Sequence, residues 1–208
     1  MSTPLWQPSQ QETEKTLLTH FSKKIQQKYK LPDIEYSTLH QWSIEFPELF
    51  WEEVWIDCEV RCSVPWTKVM SKTGFSEKIG TEPSGWFTGA RLNFAENLLA
   101  QGKAENEALC FIGEDASTRS LSYAELRKAV EQCASGMQAL GVTANDRVAA
   151  VLPNCPEAVI GMLAAASLGA IWSSCSPDFG INGIYDRLGQ ISPKILITVN
   201  AYNYNGKE

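Results

Sequence analysis

The sequence predicts an α/β fold: a helical N-terminal extension, then the first βαβαβαβ units of a parallel sheet. Three observations predict it. Through residue 106 the apolar residues recur at helical spacing between irregular stretches. After that, short strand-like runs alternate with helical stripes, the pattern of right-handed βαβ units. Finally, the segment LPNCPEAVIGMLAAASLGAIWSSCSPDFG, Leu152 to Gly180, holds a helix that is apolar almost all round, so layers on both sides must cover it. The chain accordingly divides into a helical and loop-rich region, 1–106, and an α/β region, 107–208.

The elements follow in order. From Thr13 to Lys30, Leu17, Leu18, Phe21, Ile25 and Tyr29 share one helical face, and Leu31-Pro32-Asp33 ends the helix. A second helix carries Leu39, Trp42 and Phe46. Pro47 then suits the first turn of a third, with Phe50, Trp51, Val54 and Trp55. So many large rings require something to pack against. Thr73 to Arg91 is rich in Gly, Pro, Ser and Thr and reads as a long surface connection. Asn93 and Glu96 make a capping box for a short helix, and Ser122 and Glu125 make another. The runs ALCFIG, RVAAVLP, AIWSSC and KILITV read as strands of the sheet. Between them lie helices ending at Gly141, starting at the Asn154-x-x-Glu157 cap, and carrying Ile181, Ile184, Leu188 and Ile191.

Composition excludes several functions. A formal charge of -6 and a pI near 5.1, without a basic stripe, argue against nucleic acid as a partner. The longest apolar run, Ala158 to Ile171, is interrupted by Gly161, Ser167 and Gly169 and is too short for a bilayer, so no membrane partner is expected. The six cysteines are scattered; Cys58 and Cys62 form one C-x-x-x-C pair, but no second pair completes a metal site, and the histidines are His20 and His40 alone. Reduced thiols packed as small hydrophobes point to the cytoplasm.

In an open parallel sheet, ligands bind beyond the carboxyl ends of the strands, where Ser173 to Asp178 and the tail from Asn200 to Lys207 both fall. By composition alone these are ordinary connections. The motifs add more. Trp86-Phe87-Thr88-Gly89-Ala90-Arg91-Leu92-Asn93-Phe94-Ala95-Glu96-Asn97 resembles the W-F-x-G-x-x-L-N-x-A-x-N pattern of the acetyl-CoA synthetase branch of the adenylate-forming superfamily. Tyr123-Ala124-Glu125-Leu126, the strand from Arg147, Pro153-Asn154-Cys155-Pro156-Glu157 and Ala164 to Ala170 follow in that family's order. Within the branch, the Leu152–Gly180 segment and the closing ITVNAYNYNGK are most similar to the acetoacetate-activating members; others carry a glycine-rich turn at Ser176-Pro177-Asp178.

The resemblance implies part of the large N-terminal domain of an enzyme that joins acetoacetate to CoA through an acyl-adenylate, with ATP, Mg2+ and CoA serving the full-length protein. It also implies that the phosphate loop, the ribose-binding acid and the catalytic lysine lie on a later part of the chain. These 208 residues are therefore expected to be an inactive N-terminal portion with no catalytic residue of its own. The Ser71-Lys72-Thr73-Gly74 stretch is too short for a phosphate loop and follows no strand of the α/β region. The resemblance does imply CoA contacts: Lys207 matches one position that faces the CoA 3′-phosphate, Tyr204 occupies a second where relatives tend to carry arginine, and Ser176, Pro177 and Asp178 match the turn bordering the pantetheine tunnel. An acetyl- or propionyl-CoA synthetase, or a non-catalytic interaction module built on the Trp-rich helices, are the alternatives. A sheet cut midway is expected to expose an edge and to associate.

Overall fold

The computed structural model describes residues 5–32, 35–71, 85–204 and 206. Two compact units divide between Arg91 and Leu92.

The first unit is helical. Ser9 caps α1 (Gln10–Glu14) in a reciprocal box with Glu12, and Thr16 caps α2 (Leu17–Tyr29). The continuous helix expected from Thr13 is thus broken, because the Thr16 hydroxyl accepts from Thr19 N at 3.2 Å and donates to the Thr13 carbonyl at 2.9 Å, competing with the helical ladder. Then come α3 (Tyr36–Glu45) and α4 (Pro47–Asp57), the latter with Pro47 in its first turn as expected. Phe21, Ile25, Leu39 and Trp42 make the core, and Phe50 stands edge-on to Phe21 and Trp42 at 6.0 and 6.3 Å. Leu17, by contrast, is exposed. A short antiparallel pair closes the unit: β1 (Lys68–Met70) with β2 (Trp86–Thr88). The middle of the expected surface connection, and most of the Ser71-Lys72-Thr73-Gly74 stretch, lie outside the described residues.

The second unit starts with α5 (Phe94–Ala100). Asn93 caps it, its Oδ1 accepting from Glu96 N at 3.1 Å, while its amide donates to the Ala166 carbonyl at 2.9 Å. The polar centre of the L-N-x-A-x-N motif is therefore a structural tie. Next, β3 (Glu107–Ile112) and β4 (Thr118–Ser122) form an antiparallel hairpin. This corrects one expectation: the ALCFIG run does not open the parallel sheet. The chain reverses at once, with Gly113 N donating to Ser117 O at 2.8 Å and Ala116 at φ 61°, and so short a link cannot join parallel strands.

The parallel sheet follows. After α6 (Tyr123–Ala139), stopped by Gly141 at φ 83°, come β5 (Arg147–Val151), α7 (Pro156–Ser167), β6 (Ile171–Cys175), α8 (Gly180–Leu188) and β7 (Ile195–Thr198). The strand order is β6-β5-β7, all parallel. Strand β5 is covered on both faces: Val148 packs with Val130, Met137, Leu163 and Ala164 of α6 and α7, while Ala149 and Val151 meet Leu188 and Ile184 of α8. The α/β class and the two-sided cover of α7 are as the sequence predicts. The chain steps from β5 to one neighbour and then back across it to the other, so the strand order reverses at β5 and a crevice opens beyond the carboxyl ends. At the opposite end, Asp146 accepts from Thr143 N at 2.7 Å and Lys194 Nζ at 2.9 Å; the lysine first, then the threonine, hold its carboxyl at about 2. No helix among the described residues is long and apolar enough to cross a membrane.

Candidate functional site

The crevice is a cavity of 780 Å3. Four segments wall it: the β3–β4 loop, the turn from β5 into α7, the turn after β6, and residues 199–204 after β7. Each is a connection at the end of a rigid strand, which is how a sheet positions variable side chains.

Its polar groups are tied in pairs. Asp178 accepts from the Tyr202 hydroxyl at 2.8 Å and from the Ser176 hydroxyl at 2.5 Å. Asp115 accepts from Ser117 Oγ at 2.6 Å and from Asn203 Nδ2 at 3.4 Å. Arg119 Nη2 donates to both carboxylate oxygens of Glu157 at 2.6 Å. These contacts set the protonation states. Hydrogen bonds from Ser117 hold the Asp115 carboxyl below its ordinary range, and the Arg119 guanidinium does the same for Glu157. The Asp178 acceptor pushes the Tyr202 phenol up, and burial pushes the Cys155 thiol up. Glu114, Asp115, Glu157 and Asp178 stand against Arg119 among the described charged lining residues. With the Cys155 thiol pushed toward its protonated form and the Asp115 and Glu157 carboxyls held below their ordinary range, the cavity can bind and orient a ligand by hydrogen bonds.

Of the residues singled out from the sequence, Ser176, Asp178 and Tyr204 come together in this cavity. Pro177 lines a smaller adjoining pocket with Thr198 to Tyr202. Lys207 lies outside the described residues. The Asn154 cap is corrected: α7 starts at Pro156 with Cys155 at the cap position and no side-chain cap, because Glu157 is drawn to Arg119 of the hairpin instead. The sequence reading missed Asp115, Arg119, Tyr202 and Asn203. The first two sit on a hairpin hidden by the expectation of a parallel strand, whereas the alternation Tyr202-Asn203-Tyr204 was a visible signal. Trp172 is half-buried, packed against the core and against Gly161 of α7. No three His, Cys, Asp or Glu side chains among the described residues converge as a metal site, and all six cysteines are unpaired. The helical unit has a separate groove of 520 Å3, lined by Leu17, Leu18, Phe21, Leu39 and neighbours, without charged groups to fix a ligand.

Comparison with known proteins places this geometry. Residues 98–208 match the model of the AMP-binding enzyme family, and residues 36–98 that of the acetyl-coenzyme A synthetase N-terminus. The chain is 40% identical over 207 residues to the acetoacetyl-coenzyme A synthetase of Rhizobium meliloti, covering 98% of this chain and 30% of that protein. It is also 40% identical over 208 residues to the malonamoyl-CoA synthetase of Penicillium aethiopicum, covering 98% of this chain and 28% of that one. The solved acetoacetyl-CoA synthetase from Streptomyces lividans superposes with a TM-score of 0.86 at 37% identity, over 100% of this chain and 32% of its own. The chain thus spans about 30% of the length of the curated relatives it matches.

Proposed function

From the premise that this chain belongs to the family of AMP-binding enzymes, we propose that it is part of an ATP-dependent acetoacetate-CoA ligase and forms one wall of its CoA site. In the whole enzyme the acetoacetate carboxylate attacks the α-phosphorus of ATP, releasing pyrophosphate and leaving acetoacetyl-AMP. The CoA thiol then attacks the acyl carbon, loses its proton and expels AMP. Residues 1–106 supply the helical N-terminal region and 107–208 the first part of the adenylation domain.

The observation that carries the reading is the 40% identity to an acetoacetyl-coenzyme A synthetase, spread over 98% of the chain. The malonamoyl-CoA relative supports the same substrate class, since acetoacetate and malonamate both carry a carbonyl two carbons from the acid. Ser176 and Tyr204 of the cavity, Pro177 of the adjoining pocket and Lys207 are the proposed contacts of CoA, and Asp178 is the proposed CoA-site residue that holds the wall in place. They bind and orient; none transfers a proton or forms a bond to substrate. Among the described residues the charged lining is mostly acidic and Arg119 is bound by Glu157, so a phosphate there needs a further cation, and Lys207 is the proposed one. Mg2+ belongs with ATP in this chemistry, and no step is routed through it by these residues. Unpaired cysteines support a cytoplasmic setting.

The test is pyrophosphate release by the full-length protein with ATP and CoA, comparing acetoacetate and malonamate with acetate, propionate and butyrate. Release with acetoacetate, absent from the 208-residue chain run alongside, is the expected result. Silence with every acid overturns the ligase reading, and a preference for acetate or propionate overturns the assigned substrate.

A further inference from the structure

We infer that Tyr202 and Asp178 are a positioning pair that sets the wall of the cavity by locking the loop after β7 onto the turn after β6; this rests on the reading that the cavity receives CoA. Among the described residues no ladder or helical hydrogen bond holds the loop from Val199 to Asn203, and Tyr204 lies in an isolated bridge. Part of its order comes from side chains. Two consecutive residues supply it in two different directions: Tyr202 donates to Asp178 Oδ1 at 2.8 Å, and Asn203 donates to Asp115 Oδ2 at 3.4 Å. One tie reaches the β6 side of the crevice and the other reaches the β3–β4 hairpin, so together they fix the loop's rotation as well as its distance. The Tyr204 ring lies 6.3 Å from that of Tyr202, and its setting follows from the same anchor.

Both Asp178 oxygens are already engaged, Oδ1 by Tyr202 and Oδ2 by the Ser176 hydroxyl at 2.5 Å. A carboxylate facing a phosphate-bearing ligand would repel it, so Asp178 acts on CoA through the loop rather than by contact. The upward push on the Tyr202 phenol accords with a hydroxyl held as donor to a carboxylate. A loop fixed in advance does not have to be ordered when ligand binds, and that difference goes directly into affinity. Specificity for the acid and the first half-reaction depend on other parts of the enzyme.

The experiment uses the full-length enzyme and two readouts: acetoacetate-dependent exchange of pyrophosphate into ATP, which needs no CoA, and KM for CoA in the complete reaction. In Tyr202→Phe, KM for CoA should rise about fivefold, the loss expected for one hydrogen bond, while exchange stays within about twofold of wild type. Asp178→Ala should raise KM similarly, the double variant should be no worse than Asp178→Ala alone, and Asp178→Asn, which keeps an acceptor for Tyr202, should recover most of the affinity. An unmoved KM in Tyr202→Phe, additive effects in the double variant, or equal loss of exchange and CoA affinity would each overturn the positioning role. Absence of exchange in the wild type would instead sink the ligase reading itself.

Discussion

Among the described residues, Glu53 is the charge in the helical unit that water does not reach. Its side chain is fully buried, its carboxylate accepts from Lys28 and from the Tyr29 hydroxyl at 3.0 Å, and Lys24 stands 3.7 Å from the second oxygen. Burial alone would raise its pKa; the hydrogen bonds from Lys28 and Tyr29 and the lysine charges outweigh that and leave the carboxyl below its ordinary value. A carboxyl depressed in the folded state contributes stability above its unfolded value, 4.5, and that contribution is lost as pH falls through the folded value. Glu53→Gln should therefore destabilise the protein by about 1–3 kcal/mol at pH 7, read by urea unfolding, with the gap to wild type closing as pH drops below 4.5. An equal gap at pH 7 and in acid would show that packing, not charge, is what the carboxylate supplies. Nothing in its spacing marks Glu53: it sits among three other acids and several rings between Glu48 and Asp57, and only the placement of α2 over α4 buries it. Ser176, Asp178 and Tyr204 were legible because their sequence neighbours resemble a known turn and tail; their partner Tyr202 was not, since a tyrosine's hydrogen bond depends on which loop faces it.

Between elements, the contact of α7 with β6 is set by the absence of a side chain. A Cβ on Gly161 would come within 2.7 Å of the Trp172 ring, whose indole N–H is engaged with Ser174 Oγ at 3.2 Å. The ring cannot swing away without straining that bond. Gly161→Ala should cost about 1–3 kcal/mol by overpacking, despite alanine's better helix propensity, and Trp172→Leu in the same chain should restore part of it. A gain in thermal stability from Gly161→Ala alone would mean that the ring relaxes freely. Helix ends were readable where a capping residue acts on its own helix, as at Ser122 and Pro47. They failed at Thr16, whose hydroxyl breaks the run by bonding the Thr13 carbonyl and capping a new helix, and at Glu157, whose carboxylate is held by Arg119 of the hairpin. The hairpin failed for a related reason. A strand's apolar run has the same composition whichever neighbour it pairs with, and the five-residue link between β3 and β4 decided the pairing.

For the molecule as a whole, the sheet ends at two outer strands, β6 and β7, each with an unpaired edge among the described residues. Leu196 on β7 and Ile171 on β6 are half-exposed, and Ile181 and Tyr185 of α8 are largely exposed. Such edges and faces template pairing with another chain. The isolated 208-residue chain should self-associate as its concentration rises, read by sedimentation, and Leu196→Lys should reduce it; a monomer throughout would show that the strand edges are protected. The alternation of strands and helices, the apolar cover demanded by α7 and the motifs shared with a known enzyme branch were determined by the sequence alone, because periodicity, caps and short motifs are local properties of a chain. Which strand pairs with which, which carboxylates are buried or tied, and the four loops that enclose the cavity were decided only by the tertiary structure, because each depends on residues far apart in sequence meeting across a sheet or between helices.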